Sequence, residues 1–261
     1  MKCYVINLAD SPRRLAHMQA SFGEVGIPFC RFDAIDRDRA RIHPVAKLLA
    51  PLKEREWLAS EIGCLLSHYE IWKLVSEGAD GFAAVFEDDV IIDRRLRVVL
   101  SETTSLPRDA DLIKLETTNQ PTRLDQPTFN GPGGTQLRRL RSQHKGSGGY
   151  IVSKSAASRL VSNIGLFDAA VDVTIFSPSH EVCRNLAVYQ IIPAMVIQDS
   201  VRDLSQQNPI LASTIRPERI EAYDFVKAQD TILQRIIRKL SAYLVPNALS
   251  SRLVVPFGDN T

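Results

Sequence analysis

The chain has 261 residues, and 44% of them are hydrophobic, which is enough for a buried core and argues against a disordered chain. Its 32 basic and 30 acidic residues leave a formal net charge of +2, so the global charge would not attract nucleic acid or a membrane. The sequence has no apolar run of about 18 residues, and we therefore expect no membrane-spanning helix. The length predicts one or two domains.

The cysteines and the N-terminal residues indicate the compartment. The four cysteines show no Cys-x-x-Cys spacing, so we expect reduced, mostly buried thiols rather than a zinc site or a disulfide framework. Residues 1–10 become polar too soon for a signal peptide. Both features predict a cytoplasmic protein.

The N-terminal part of the chain predicts a strand, a helix and a second strand. Residues 2–8 are typical of a buried strand, Ser11 and Pro12 of a helix start, and Gly26 of a helix end. Between these signals, apolar residues recur at helical spacing: Leu15, Met18, Phe22 and Val25. Residues 29–35 are the second strand. This order is the unit of a parallel sheet with helices on its faces.

The middle of the chain continues the alternation. Residues 36–41 are charged and predict a solvated loop, after which a helix is predicted that Ser60 caps and Gly78 ends. Residues 82–86 predict a central strand, and 111–116 predict another.

Further strands and one helix are predicted towards the C-terminus. Residues 119–135 contain three prolines and three glycines and predict a long surface loop or hairpin. A short strand at 150–153 precedes a helix that Ser155 caps, and residues 186–196 predict a strand that Pro193 interrupts. The whole pattern predicts an α/β fold with a mostly parallel central sheet and flanking helices.

The last part of the chain differs in character. We divide the sequence into a domain at 1–203 and a helical extension at 204–261. Residues 225–245 predict an amphipathic helix, and 227–252 carry five basic residues against one acidic residue. Such a helix either packs on the domain or lies on an anionic membrane surface as a peripheral contact.

Three consecutive carboxylates, Glu87, Asp88 and Asp89, directly follow the predicted strand at 82–86. Their repulsion and desolvation require a counter-charge, either basic side chains or a metal. Ligand sites in open α/β sheets lie outside the carboxyl ends of strands, where these residues would fall. A hard divalent cation that bridges carboxylates and phosphate oxygens fits this position, and the alternative is a solvated acidic turn.

Polar residues also interrupt the predicted helices. Gly63 lies in the first turn of one helix, where it is about 1 kcal/mol less favourable than Ala, and close approach of another group would explain it. Ser67 and His68 are polar on that otherwise apolar helix, and the histidine is either a ligand or a satisfied core residue. Arg13 and Arg14 at the first strand-to-helix turn either bind a diphosphate or form an exposed first turn.

Five short motifs follow one another along the chain. They are Tyr4-Val5-Ile6-Asn7-Leu8 with Ser11-x-Arg13-Arg14, Phe32-Asp33-Ala34-Ile35-Asp36, Glu61-Ile62-Gly63-Cys64-x-x-Ser67-His68 with Trp72, Phe86-Glu87-Asp88-Asp89-Val90, and Gly149-Tyr150-Ile151-Val152-Ser153. In this order they resemble glycosyltransferase family 25, the bacterial lipopolysaccharide and lipooligosaccharide sugar transferases related to collagen galactosyltransferases. The resemblance covers about residues 2–200.

The resemblance implies a GT-A type fold and an inverting enzyme that transfers a hexose from UDP-galactose or UDP-glucose. It implies that Asp88 and Asp89, with Glu87, hold Mn²⁺ or Mg²⁺ on the donor diphosphate. It also implies a donor-binding set, which consists of Asn7, Arg13, Arg14, Asp33, Gly63, Ser67 and His68. The acceptor would be a glycan or a lipid-linked oligosaccharide, and a lipid-binding helix at 225–245 would place the enzyme on the inner face of the cytoplasmic membrane.

The reaction requires a general base. An acceptor hydroxyl attacks the anomeric carbon in line with the departing UDP, and a carboxylate on the opposite face takes its proton. The resemblance favours Asp172 as this base, with Glu116 second. Residues 146–150 read Gly-Ser-Gly-Gly-Tyr, which departs from the Gly-Thr-x-x-Tyr common in the family. Two alternatives stay open: a metal-dependent phosphoryl or nucleotidyl transferase, and a non-catalytic nucleotide-sugar-binding protein.

Overall fold

The computed structural model describes residues 1–51, 56–126, 128–202, 205, 208–211 and 250–258. The amphipathic helix predicted at 225–245 lies outside these residues. No helix in the described ranges is long and apolar enough to cross a membrane.

Strands and helices alternate through most of the described chain. The strands are β1 (Lys2–Asn7), β2 (Cys30–Asp33), β3 (Phe82–Glu87), β4 (Val90–Ile92), β5 (Leu112–Lys114), β6 (Glu116–Thr117), β7 (Pro121–Asp125), β8 (Phe129–Asn130), β9 (Gln136–Arg139), β10 (Gly149–Ser153), β11 (Val188–Ile192), β12 (Val196–Gln198) and β13 (Ser250–Val254). The α-helices are α1 (Pro12–Glu24), α2 (Arg37–Ile42), α3 (Ala59–Glu77), α4 (Leu96–Ser101), α5 (Lys154–Ser162), α6 (Val171–Ile175) and α7 (Glu181–Arg184).

One large sheet organises the fold. Its strand order is β2-β1-β3-β10-β5-β11-β9-β8. The pairings make β10 and β9 antiparallel to their neighbours, so six of these eight described strands run in one direction. Two small sheets, β4-β12-β6 and β13-β7, lie beside it. The predicted α/β class with a mostly parallel central sheet is confirmed.

The predicted strand–helix–strand unit is confirmed as β1, α1 and β2. Pro12 is the first residue of α1, and Gly26, with φ at 65°, follows the C-cap of this helix. Met18 and Phe22 are buried beneath the helix, where the Phe22 ring packs 5.2 Å from that of Phe86. Because β1, β2 and β3 are parallel, their carboxyl ends meet at one edge of the sheet.

The charged segment at 36–41 was predicted to be a loop, but it forms the N-cap and most of helix α2. The Asp36 side chain caps this helix by accepting hydrogen bonds from the backbone N–H groups of Asp38 and Arg39. Asp is a favoured N-cap residue, so Asp36 indicated a helix start, but the many charged residues of this segment favoured a loop.

Two predicted helix caps are also wrong. Helix α3 begins at Ala59, one residue before Ser60, and the Glu61 carboxylate accepts from the backbone N–H of Leu58 at its start. Helix α5 is capped by Ser153 rather than Ser155, since the Ser153 hydroxyl accepts from the N–H of Ala156. In both cases the neighbouring strand or loop sets where the backbone turns.

The segment predicted as a loop or hairpin at 119–135 contains β7 and β8. Strand β7 pairs with β13, so residues 250–254 form a strand beside this segment. The Thr117 hydroxyl donates to the backbone oxygen of Val255 at 2.7 Å, and Val255 is buried. The predicted interruption at Pro193 is confirmed, because this residue separates β11 from β12.

Candidate active site

A cleft of about 810 Å³ opens at the carboxyl ends of β1 and β3. Its walls come from the turn after β1, from α2 and α3, and from the loops before β10 and after β12. The end of β3 completes them with the acidic turn, which consists of Glu87, Asp88 and Asp89. The residues that line the cleft include Arg14, Cys64, Ser67, His68, Glu87, Asp88, Asp89, Gly146, Ser147, Asp172 and Gln198. This is the sheet edge at which the sequence predicted a ligand site.

Arg14 and Asn7 hold the acidic turn. Arg14 Nη1 lies 2.7 Å from Asp88 Oδ1, and its Nη2 lies 3.1 Å from Asp89 Oδ2, so one guanidinium bridges both carboxylates. Asn7 Nδ2 donates to Asp88 Oδ2 at 2.7 Å. All four side chains are buried. Arg14 therefore supplies part of the counter-charge that the three acids require, and Asn7 supplies a neutral hydrogen bond.

The counter-charge is incomplete. Burial and, after it, the nearby Glu87 carboxylate raise the pKa of Asp89 to about 8 against the opposing effect of Arg14. Burial also raises the pKa of Asp88. Asp89 Oδ1 is buried and has no hydrogen-bond partner within the described ranges. A hard divalent cation prefers carboxylate oxygens of this kind, so the residues present fit such an ion.

Glu87 is held by neutral donors from separate parts of the chain. Ser147 Oγ donates to Glu87 Oε1 at 2.6 Å, and Gln198 Nε2 donates to Glu87 Oε2 at 3.0 Å. His68 Nε2 lies 3.5 Å from Glu87 Oε1. These contacts orient the carboxylate at the cleft wall.

Glu116 lies behind the cleft wall and is fully buried. Its Oε2 lies 3.2 Å from Lys114 Nζ and accepts from the backbone N–H of Gly148 at 2.8 Å, while Oε1 has no partner in the described part of the chain. Burial raises the pKa of Glu116 to about 7 despite Lys114. Gly146 has φ at 93°, and a Cβ there would lie 2.5 Å from the Glu116 carboxylate. The close-packed loop at 146–148 therefore depends on Glu116.

Asp172 lies in the first turn of α6 and lines the cleft. Its Oδ2 accepts from the backbone N–H of Gly146 at 3.0 Å. The structure thus brings Asp172 to the cleft and leaves Glu116 behind the loop, which favours Asp172 as the carboxylate that a substrate can reach.

Gly63 and Ser67 both pack against Ile35 in the segment that follows β2. A Cβ at Gly63 would lie 2.4 Å from the backbone oxygen of Ile35. Ser67 Oγ accepts from the N–H of Ile35 at 2.8 Å and donates to the backbone oxygen of Gly63 at 2.7 Å. The group that approaches Gly63 is therefore the protein's own backbone, and both residues shape the cleft wall at 34–36.

We expect Gly63→Ala to lower the free energy of unfolding by about 1–3 kcal/mol, because the added methyl group forces α3 away from Ile35. Gly23→Ala in α1 is the matched control, since no atom lies within 4 Å of a Cβ there. Urea denaturation of both variants measures the difference. Equal stability of the two variants would contradict the contact.

Comparison with known proteins identifies the family. The model of glycosyltransferase family 25 (LPS biosynthesis protein) matches residues 1–175. The chain belongs to glycosyltransferase family 25. It is a glycosyltransferase, as the motifs predicted.

Several proteins of lacto-N-neotetraose and lipooligosaccharide biosynthesis are similar to the chain over most of their length. The lacto-N-neotetraose biosynthesis glycosyltransferase LgtB of Neisseria gonorrhoeae is 30% identical over 230 residues, which are 84% of this chain and 82% of that protein. The lipooligosaccharide biosynthesis protein lic2B of Haemophilus influenzae is 26% identical over 93% of this chain and 98% of that protein. The T. maritima inositol-1-phosphate CTP transferase structure covers 87% of this chain and 94% of its own at 11% identity, with a TM-score of 0.40 that supports no inference.

Four of the seven predicted donor-binding residues of this family 25 enzyme do not line the cleft. Asn7 and Gly63 lie behind its walls, against Asp88 and the Ile35 backbone, and Arg13 and Asp33 lie away from it. Arg13 is exposed on α1. Asp33 is exposed at the end of β2, where it pairs with Arg31 at 3.1 Å and Arg39 at 3.0 Å. A helix places adjacent residues on different faces, so only Arg14 of the arginine pair faces the acidic turn.

The sequence analysis missed Lys114, Ser147 and Gln198. Lys114 is fully buried in β5, pairs with Glu116, donates to the backbone oxygen of Gly146, and lies 4.4 Å from the centre of the Phe176 ring. A lysine inside an apolar strand was the available signal, because buried lysines are rare without a partner. Ser147 and Gln198 carried no such signal, since only the fold brings them to Glu87.

We expect Arg14→Ala to raise the KM for the donor at least tenfold, equivalent to about 1.4 kcal/mol, because the guanidinium lies at the acidic turn inside the cleft. Arg13→Ala is the matched control and should change this KM less than Arg14→Ala. Steady-state kinetics with varied donor and acceptor measure both effects. A change confined to the acceptor KM of Arg14→Ala would remove this residue from the donor site.

Proposed function

We propose that this family 25 enzyme is an inverting hexosyltransferase with a GT-A type fold. It moves galactose or glucose from a UDP-sugar to a hydroxyl group of a lipopolysaccharide or lipooligosaccharide acceptor. The observation that carries the proposal is the acidic turn Glu87–Asp89, which ends a central parallel strand and faces the same cleft as Arg14 and Asp172. The names of the similar LgtB and lic2B proteins support the acceptor class.

Asp88 and Asp89, with Glu87 beside them, would hold Mn²⁺ or Mg²⁺. When bound, such an ion stabilises the negative charge that grows on the departing diphosphate. Arg14 adds a fixed positive charge at the same turn, and Asn7 keeps the Asp88 carboxylate in place. The donor diphosphate therefore belongs at the acidic turn, with the nucleoside towards the wall at 34–38.

Asp172 acts as the general base in this proposal. Its carboxylate lies on the cleft wall, and the Gly146 N–H fixes one of its oxygens. The other oxygen takes the proton from the acceptor hydroxyl as that hydroxyl attacks the anomeric carbon, while UDP departs from the opposite face. Attack from the face opposite the leaving group inverts the anomeric centre.

The deciding experiment measures release of UDP and formation of glycoside from UDP-galactose and UDP-glucose, with and without EDTA. The acceptor is a truncated lipooligosaccharide, and NMR of the product gives the anomeric configuration. Free UDP, loss of turnover in EDTA and an inverted product support the proposal. Transfer of a nucleotide to the acceptor would indicate a nucleotidyl transferase, and binding without turnover would indicate a non-catalytic sugar-nucleotide protein.

We also propose peripheral contact with an anionic membrane through residues 225–245. Vesicles containing phosphatidylglycerol should co-sediment with the protein at low salt, because each basic residue near an anionic surface contributes about 1 kcal/mol. Reversing Arg235, Arg238 and Lys239 to glutamate should abolish the binding, and vesicles of phosphatidylcholine alone are the control. Intact protein that stays in the supernatant at low salt would show that this segment does not bind lipid.

A further inference from the structure

Lys114 connects the loop before β10 to the helix that carries Asp172. Its side chain is fully buried at the end of β5, and its Nζ donates to the backbone oxygen of Gly146. The same Nζ lies 3.2 Å from Glu116 Oε2 and 4.4 Å from the centre of the Phe176 ring. Phe176 directly follows α6, and its backbone N–H donates to the backbone oxygen of Asp172 at 3.1 Å. Lys114 therefore contacts both segments that hold Asp172.

Gly146 is the residue through which the loop reaches Asp172. Its N–H donates to Asp172 Oδ2 at 3.0 Å, while its carbonyl oxygen accepts from Lys114 Nζ. Its φ of 93° and the 2.5 Å that would separate a Cβ from Glu116 Oε2 both require glycine at this position. Because the two polar groups belong to one residue, a shift of the carbonyl group would also move the N–H that fixes Asp172.

Glu116 completes the support of the loop at 146–148. Its Oε2 accepts from the backbone N–H of Gly148 at 2.8 Å and pairs with Lys114. Both charged side chains are fully buried, and an apolar pair of similar volume is often as stable as a buried ion pair. Apolar side chains could not supply the hydrogen bonds that this pair makes with the loop.

We propose that Lys114, paired with Glu116, is a positioning residue that acts through Gly146 on Asp172. This role rests on the proposed function, in which Asp172 is the general base. Neither Lys114 nor Glu116 lines the cleft. The buried pair holds the loop at 146–148 in one place, so that Asp172 keeps one oxygen on the Gly146 N–H and presents the other to the acceptor hydroxyl.

A double-mutant cycle tests this role with Lys114→Met, Asp172→Asn and the combination of the two. Methionine keeps most of the apolar length of lysine but donates no hydrogen bond. We expect Lys114→Met to lower kcat by about 10–100-fold, since a misplacement of about 1 Å can cost this much. UDP affinity, measured by calorimetry, should fall less than kcat, because Arg14 and Asn7 hold Asp88 independently of the loop.

The combined variant gives the readout that a general loss of stability would not change. When Asp172 is already asparagine, Lys114→Met should lower kcat by less than about twofold, because a residue that acts through a carboxylate loses its effect with that carboxylate. A loss of kcat that is equally large in both backgrounds would overturn the proposal. Near wild-type kcat in Lys114→Met would also overturn it.

Asp111→Asn is the matched control. It removes one charge of the buried ion pair with Arg159 at the other end of β5, and Asp111 does not line the cleft. This variant should lower the free energy of unfolding, measured by urea denaturation, and leave kcat unchanged. If Lys114→Met does not fold, Lys114→Met with Glu116→Gln replaces it, because this combination leaves neither partner's charge buried alone. It should show the same loss of kcat and the same dependence on Asp172.

Hydrogen exchange of the Gly146 amide separates this role from the proposed function. The amide should exchange at least about tenfold faster in Lys114→Met and at the wild-type rate in Asp111→Asn. Unchanged exchange in Lys114→Met would overturn the positioning role, whatever the activity of the Asp172 variant. Faster exchange together with full activity of Asp172→Asn would confirm that Lys114 holds the loop beside Asp172, and would count against the general base of the proposed function.

Discussion

Asp89→Asn should abolish cation-dependent turnover, with a fall in kcat of at least about 100-fold, and Asp88→Asn should behave in the same way. Each change removes a charged oxygen from the turn that would hold the cation, while the neutral amide keeps the size of the side chain. Arg14 remains and would lose one of its two carboxylate partners. Turnover measured over a range of Mn²⁺ concentrations tests the effect.

The control is Asp93→Asn, which lies outside the cleft walls and pairs with Arg95 at 2.9 Å. It should keep near wild-type turnover. If Asp88→Asn or Asp89→Asn keeps near wild-type activity with Mn²⁺ present, that residue is not part of a cation site.

The same Asp89 variant should change how stability depends on pH. Burial and Glu87 raise the pKa of Asp89 to about 8, above the value of about 4 in an unfolded chain. The folded protein therefore binds this proton more tightly, and its free energy of unfolding falls as pH rises between these values. Asparagine has no proton to lose, so Asp89→Asn should gain stability relative to wild type between pH 5 and about 8.

Urea denaturation in EDTA at pH 5 and pH 8 measures this difference. If Asp89→Asn loses stability relative to wild type as the pH rises from 5 to 8, Asp89 does not have a raised pKa in the folded protein.

Asp172→Asn should lower kcat by about 10²–10⁴-fold with little effect on UDP binding, because a general base acts only in the transition state. The amide oxygen of asparagine can still accept from the Gly146 N–H, so the loop should keep its place. Single-turnover kinetics and calorimetry with UDP measure the two effects.

The matched control is Asp168→Asn, four residues earlier, where the carboxylate pairs with His180 at 2.7 Å. It should leave the chemical step unchanged. Full activity of Asp172→Asn would show that Asp172 is not the general base. Glu116 or another carboxylate would then take the proton, and Glu116→Gln would be the next variant to measure.

Most of the secondary structure near the site was readable from local signals. The Pro12 start and Gly26 end of α1 depend on backbone angles that these residues prefer, and neighbouring residues alone decide them. The α2 helix was missed, because five charged residues among the six at 36–41 resemble a loop although Asp36 is a good cap. Ser60 and Ser155 are predicted as caps from their residue type alone, whereas α3 begins at Ala59 and α5 begins at Lys154.

The class of fold, the acidic strand end and the motif order that indicates family 25 could all be predicted from the amino-acid sequence. These features are local, since strand periodicity and consecutive acids can be read without knowing what packs against them. The packing of the folded chain was needed to show that Arg14 rather than Arg13 faces Asp88, and that the chain's own Ile35 backbone fills the space at Gly63. Both contacts join residues far apart in the chain. Lys114 and Glu116 are only two residues apart, but their burial as a pair depends on what covers them. How helices and strands pack decides all three contacts, and no single segment specifies that packing.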